Sequence, residues 1–230
     1  MSHGTLVTFS SAAGPAGGYL VRPTAAKPGV IVLQEWWGLV PHIKDVATRF
    51  AMQGYVTLAP DLYHGKSTVE AEEASHLMSE LDWNRAVQEI AGAVRYLRDV
   101  EGVDRVGVVG FCMGGALTVL AATLSGVDAY VSFYGFPPAP AEKLDTVAAA
   151  GLILFGENEG FFSVPDAQAF AERQRGKGRE AEVVVYPGAG HAFFNNDRPE
   201  VFRQDAANDA WRRTLTHFGR HLRGGPAAWA

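Results

Sequence analysis

The sequence predicts one α/β domain spanning residues 1–230, a mainly parallel central sheet with helices on both faces. Three observations predict it. Continuously apolar runs of strand length, such as Gly29-Val-Ile-Val-Leu33 and Gly151-Leu-Ile-Leu-Phe155, recur along the chain. A strand that is apolar at every position must be covered on both faces. Amphipathic helical stretches alternate with these runs, as crossover connections between parallel strands require. No Pro/Gly/Ser-rich linker or low-complexity stretch divides the 230 residues, a length that one α/β domain commonly fills.

Taken in order, Leu6 to Phe9 and Gly18 to Arg22 read as two short strands of an antiparallel edge, joined by the turn-forming run Ala12-Ala-Gly-Pro-Ala-Gly17. Gly29 to Leu33 is the first buried strand and ends in Gln34-Glu-Trp-Trp-Gly38, an unusual cluster for a loop. Ile43, Val46, Ala47 and Phe50 carry helical spacing through residues 42–53, with Gly54 as the stop. Strand Tyr55 to Ala59 follows, then helices over Val69–Ser79 and Trp83–Asp99, the second apolar through Ala86, Ile90, Ala93, Val94 and Leu97. Next come strand Val106 to Val109, a glycine-rich turn, helix Met113 to Leu124, and strand Ala129 to Tyr134. The Pro-rich loop Gly135-Phe-Pro-Pro-Ala-Pro140 precedes strand Gly151 to Phe155. A helix over Pro165–Gln174, a strand over Glu182–Tyr186 and a last helix over about Pro199–Leu222 complete the pattern, with Gly224 to Ala230 expected to be loosely ordered.

Composition narrows the function. A net charge of −5 with interspersed signs leaves no basic stripe for nucleic acid. The one cysteine cannot form an intramolecular disulfide, and no cysteine or histidine pair is read as having metal-ligand spacing. Residues Val106 to Val127 are uncharged and long enough to raise a membrane span. Four glycines and a change from β-branched to helical pattern argue instead for a buried strand followed by a buried helix. Met1-Ser-His-Gly-Thr-Leu6 has no basic region leading into an apolar run, so no secretory signal and a cytoplasmic location are expected.

The chemistry centres on Gly110-Phe-Cys-Met-Gly114. A strand that turns directly into a helix forces its apex residue into strain, and the residues two before and two after must be small. Cys112 at that apex is a candidate nucleophile, placed where the helix dipole favours thiolate. His191, in a glycine-flanked loop after a strand, is the candidate base; His217 and His221 read as solvated or partly packed residues of the last helix. The orienting acid is expected after Phe155, with Glu159 preferred over Asp166, which begins a helix, and over Glu157. Glu35 ends a buried strand among apolar neighbours and is placed to trade a proton with the thiol. The backbone N–H groups of Met113 and Trp36 are the expected oxyanion donors. Trp37 and Phe193 are expected to wall a substrate pocket.

With Gln34-Glu-Trp-Trp-Gly38, Gly110-Phe-Cys-Met-Gly-Gly115 and Gly190-His-Ala-Phe-Phe-Asn195 in this order, the chain resembles the dienelactone hydrolase family over nearly its whole length. The resemblance implies an α/β-hydrolase fold and cleavage of lactones or esters by a Cys-His-Asp triad. It also implies a glutamate, here Glu35, that holds and activates the thiol. Two positions depart. The triad aspartate is replaced by Glu159, and the arginine that binds a substrate carboxylate in the best-known members is replaced by Asn195, leaving Arg85 and Arg198 as candidate substitutes. No metal or organic cofactor is implied. The expected partner is a small ester or lactone, with no nucleic acid or membrane, in a monomer or weak homodimer. The rival reading is a non-catalytic or thiol-sensing module on the same fold.

Overall fold

The computed structural model describes residues 4–24 and 28–223, so the reading of residues 224–230 lies outside the described residues. Eight strands form one sheet: β1 (Thr5–Ser11), β2 (Gly14–Val21), β3 (Gly29–Leu33), β4 (Val56–Pro60), β5 (Val106–Phe111), β6 (Ala129–Phe133), β7 (Ala150–Asn158) and β8 (Ala181–Gly190). Their spatial order is β1-β2-β4-β3-β5-β6-β7-β8. The β1–β2 and β2–β4 pairs are antiparallel; from β4 to β8 every pair is parallel. The helices are α1 (Pro41–Met52), α2 (Ala71–Ser79), α3 (Trp83–Asp99), α4 (Met113–Ala121), α5 (Ala141–Leu144), α6 (Val164–Gly176) and α7 (Gln204–Arg223).

The predicted α/β-hydrolase architecture is the one observed. Val30, Ile31, Val32 and Leu33 are each fully buried, which a strand achieves only when helices cover both faces. On one side α1 meets α7 through Phe50 against Trp211 and Phe218. On the other, α3 packs beside α4. Asp82 caps α3 by accepting from the N–H groups of Asn84 and Arg85 at 2.9 and 3.1 Å, an arrangement that stabilises a helix start by about 1 kcal/mol. The uncharged stretch from Val106 divides into β5 and α4. No helix among the described residues is long and apolar enough to cross a membrane.

The structure departs from the sequence reading in three places. Strands β7 and β8 run on past their apolar cores, through a register shift, until Asn158 pairs with Gly190. Hydrophobic patterning misses this extension because its residues are mostly polar, glycine or proline. It sets Glu159 and His191, the next residue of each strand, side by side. The last helix starts at Gln204 rather than near Pro199, because residues 195–203 form successive tight turns, Arg198 N to Asn195 O and Val201 N to Arg198 O. His217, read as solvated or partly packed, is buried and its Nε2 donates to the Ala150 carbonyl at 3.1 Å. Burial lowers its pKa to about 4.

The chain leaves β3 for β4 on one side, then returns to β5 on the other. Such a reversal opens a crevice at the carboxyl ends of the two diverging strands. Glu35 follows β3 and Cys112 follows β5.

Candidate active site

Cys112 occupies φ 56° and ψ −117°, between the last residue of β5 and the first of α4. A β-carbon at Gly110 would collide with the Gly114 carbonyl, and one at Gly114 with the carbonyls of Leu33 and Gln34. Glycine at both places is therefore what lets the turn close against β3. Beneath it, Phe111 packs on Phe133 at 4.7 Å and on Phe194 at 5.4 Å, tying the turn to the His191 loop; aromatic pairs of this kind add about 0.5–1.5 kcal/mol each beyond area burial. Among the described residues, three of the four non-glycine residues with positive φ, namely Cys112, Tyr134 and Ala192, surround this region. Strain of about 1–3 kcal/mol per residue persists only where the surroundings enforce it.

The thiol of Cys112 is pushed up well beyond its ordinary range. Burial is the largest cause and the neighbouring Glu35 the next, while hydrogen bonds from the Met113 and Trp36 N–H groups pull the other way. This corrects the expectation that the helix dipole leaves a resting thiolate: desolvation and a nearby carboxylate outweigh it. The two downward influences come from the residues named from the sequence as oxyanion donors.

Glu35 is buried, and both of its oxygens accept hydrogen bonds, from Asn195 Nδ2 at 2.6 Å and from the Tyr134 hydroxyl at 3.2 Å. Neither partner was foreseen. Asn195 stood out only as the replacement of an arginine, and Tyr134 carried no sequence signal beyond ending a strand.

Glu159 reaches His191 with both oxygens, 3.0 and 2.9 Å from Nδ1. A carboxylate can only accept there, so Nδ1 carries the hydrogen and Nε2 keeps its lone pair. The Phe161 and Phe162 N–H groups also donate to Glu159 Oε1, at 2.8 and 3.2 Å, and fix its position. Their rings lie against the imidazole, 4.7 and 6.0 Å between centroids. The alternatives are elsewhere: Asp166 is exposed in the first turn of α6, its N–H bound to Ser163 Oγ, and Glu157 accepts from the Gly188 N–H.

Cys112, Glu35 and His191 line one cavity of about 410 Å³. Trp36, Trp37, Met78, Phe161, Phe162 and Val201 form its apolar wall. Trp36 and Trp37 meet edge to face at 5.0 Å. Arg198 is in this wall, with its guanidinium 5.0 Å from the centre of the Trp37 ring and paired to Glu200 at 2.7 Å. Two expected substrate contacts are corrected. Arg85 lines a different cleft and is held by the buried Glu89 at 2.8 Å. Phe193 is fully buried against Tyr186 and Tyr134, at 5.1 and 5.5 Å, because the loop directs it into the core as an anchor for His191.

Known proteins share this arrangement of chain. The sequence profile of the dienelactone hydrolase family matches residues 16–222. "Protein usf" of Aquifex pyrophilus is 33% identical over 229 residues, covering 95% of this chain and 99% of that protein. A Bradyrhizobium protein named "Probable 2-oxo-3-(5-oxofuran-2-ylidene)propanoate lactonase" is 32% identical over 223 residues, covering 90% of each. Among solved structures, a dienelactone hydrolase-like promiscuous phosphotriesterase from metagenomic libraries superposes with a TM-score of 0.81 at 22% identity, over 92% of this chain and 96% of that one, a likeness of fold. With a profile match across nearly its whole length and relatives above 30% identity, the chain belongs to the dienelactone hydrolase family.

Proposed function

We infer that this chain hydrolyses a small carboxylic ester or lactone through an acyl-enzyme on Cys112. Sulfur attacks the carbonyl carbon while its proton passes to Nε2 of His191. The Met113 and Trp36 N–H groups, which both lower the thiol pKa, hold the oxyanion of the tetrahedral intermediate. Collapse of that intermediate breaks the carbon–oxygen bond, and the imidazolium returns its proton to the departing oxygen, which in a lactone stays tethered to the acyl group. Water, giving a proton to His191, then attacks the thioester; the carboxylic acid departs and the sulfur regains its proton. Glu159 sets the tautomer of His191 and stabilises the imidazolium. Glu35 raises the thiol pKa, so the sulfur stays protonated until His191 takes its proton during the attack.

One observation carries this reading. Cys112, at the apex of the strand-to-helix turn, opens onto the same cavity as a histidine whose far nitrogen is bound by a carboxylate. The lactonase name of the Bradyrhizobium relative supports the substrate class, and the apolar wall suits the body of a small ester. The test is a rate panel of lactones, short-chain aryl esters and thioesters, run with the parent protein and Cys112→Ala. Hydrolysis in the parent that disappears in the variant is expected; an unchanged rate in Cys112→Ala rejects the reading.

A further inference from the structure

Far from Cys112, His217 and His221 sit four residues apart on α7, a spacing that sets two side chains on one helical face. On sequence alone both read as solvated or partly packed residues of the last helix, with no sign of a partner. Glu180, immediately before β8, meets them, and one ligating atom from each of the three residues lies within 4.8 Å of the other two. The cluster has the chemistry of a borderline metal ion. Imidazole nitrogens and a carboxylate oxygen are the ordinary donors to Zn²⁺, which accepts three protein ligands and a water in a tetrahedral shell.

Two details favour a ligand over a chance meeting. His217 Nε2 donates to the Ala150 carbonyl at 3.1 Å. A histidine that gives one ring nitrogen to a backbone carbonyl presents the lone pair of the other, the usual orientation of a metal-binding imidazole. His221 Nε2 is buried 3.2 Å from Glu180 Oε1, yet outside hydrogen-bonding geometry. These two groups are close enough to share an ion and are not satisfied by each other.

Local charge does not forbid it. Arg213 is paired with Asp209 and Glu182, and Arg212 with Asp209. Arg220 lies 3.3 Å from Glu180 Oε1, but it is 61% exposed and can turn into solvent at little cost.

We propose that Glu180, His217 and His221 form a divalent transition-metal site, with Zn²⁺ as the fitting ion, that clips α7 to the segment entering β8. A metal there binds the folded chain and not the unfolded one, and so raises stability as its concentration rises. The site is remote from the cavity of Cys112 and stands independently of the proposed hydrolysis.

The experiment uses the full chain carrying Cys112→Ala, so that the thiol does not compete for metal, stripped with a chelator and titrated with zinc chloride. Calorimetry is expected to give one equivalent of zinc per chain, and the Tm to climb with zinc. Cobalt(II) in its place is expected to give the visible absorption bands of a tetrahedral nitrogen and oxygen shell. His221→Gln and the exposed Glu180→Gln are each expected to weaken binding by about ten-fold or more, while both changes made in the chain with Cys112 intact leave ester hydrolysis as it was. Absence of zinc binding, or binding that persists undiminished in both variants, overturns the proposal.

Discussion

Asn195 donates its side-chain amide to Glu35 at 2.6 Å, joining residues 160 positions apart beside the Cys112 cavity, which Glu35 lines. The position that the family resemblance assigns to a substrate-binding arginine thus serves here to hold a buried carboxyl group. Asn195→Ala leaves one Glu35 oxygen without a partner in a site closed to bulk water. The expected cost is about 1–3 kcal/mol of stability, read as a lower urea midpoint. A midpoint equal to the parent's would mean that water or another donor replaces the amide without loss.

Cys112 is predicted to alkylate slowly. Because burial and Glu35 push its thiol upward, the reactive thiolate is scarce at neutral pH, and the rate with iodoacetamide should continue to climb above pH 9, where an ordinary cysteine has levelled off. Glu35→Gln removes one of the two upward influences. Alkylation at pH 8 should then be faster than in the parent. A rate equal to the parent's or below it would contradict the role given to Glu35.

Glu159 is the longer acid at a place where the family resemblance implies aspartate, and it spans the distance to His191 with both oxygens. Glu159→Gln can donate to Nδ1 and so favour the wrong tautomer, for which a loss in kcat of about 10³–10⁴ is expected, with KM little changed. Glu159→Asp retracts the carboxylate from the same backbone and should also lose activity. Full activity in Glu159→Asp would mean that the backbone adapts freely, against the fixing of this turn by the Phe161 and Phe162 N–H groups.

His217 links stability to pH. Its folded-state pKa of about 4 lies below the ordinary 6.5, so the unfolded chain binds the proton more readily. The contribution is therefore complete above pH 6.5 and is lost as pH falls from 6.5 through 4, amounting to about 3 kcal/mol at most. Unfolding curves in chelator at pH 7, 5.5 and 4.5 should show this slope, reduced in His217→Gln. Parallel curves for the two proteins would place the pH dependence elsewhere.

Much of the framework was legible because its signals are local. Apolar runs marked β3, β5 and β7, and the glycines at 110 and 114 marked a turn that other residues cannot make. Glu159 and His191 were named by chain order, and the contact between them depends on the extension of β7 and β8, which patterning does not register. The residues that escaped act across the fold. Tyr134 and Asn195 converge on Glu35 from separate loops, Phe193 turns inward because its loop needs an anchor, and Arg85 prefers the nearer Glu89. Sequence spacing carries no information about such meetings. The antiparallel edge was legible as strands, whereas its place beside β4 follows from sheet topology.

The proposed hydrolysis passes through a covalent acyl group on Cys112. The direct measurement is intact-protein mass after brief mixing with a slowly deacylating aryl ester, followed by peptide mapping. A mass increase equal to the acyl group is expected on the peptide containing Cys112, decaying as hydrolysis proceeds and absent in Cys112→Ala. Turnover of the ester with no adduct on that peptide, together with an unchanged rate in Cys112→Ala, would contradict it.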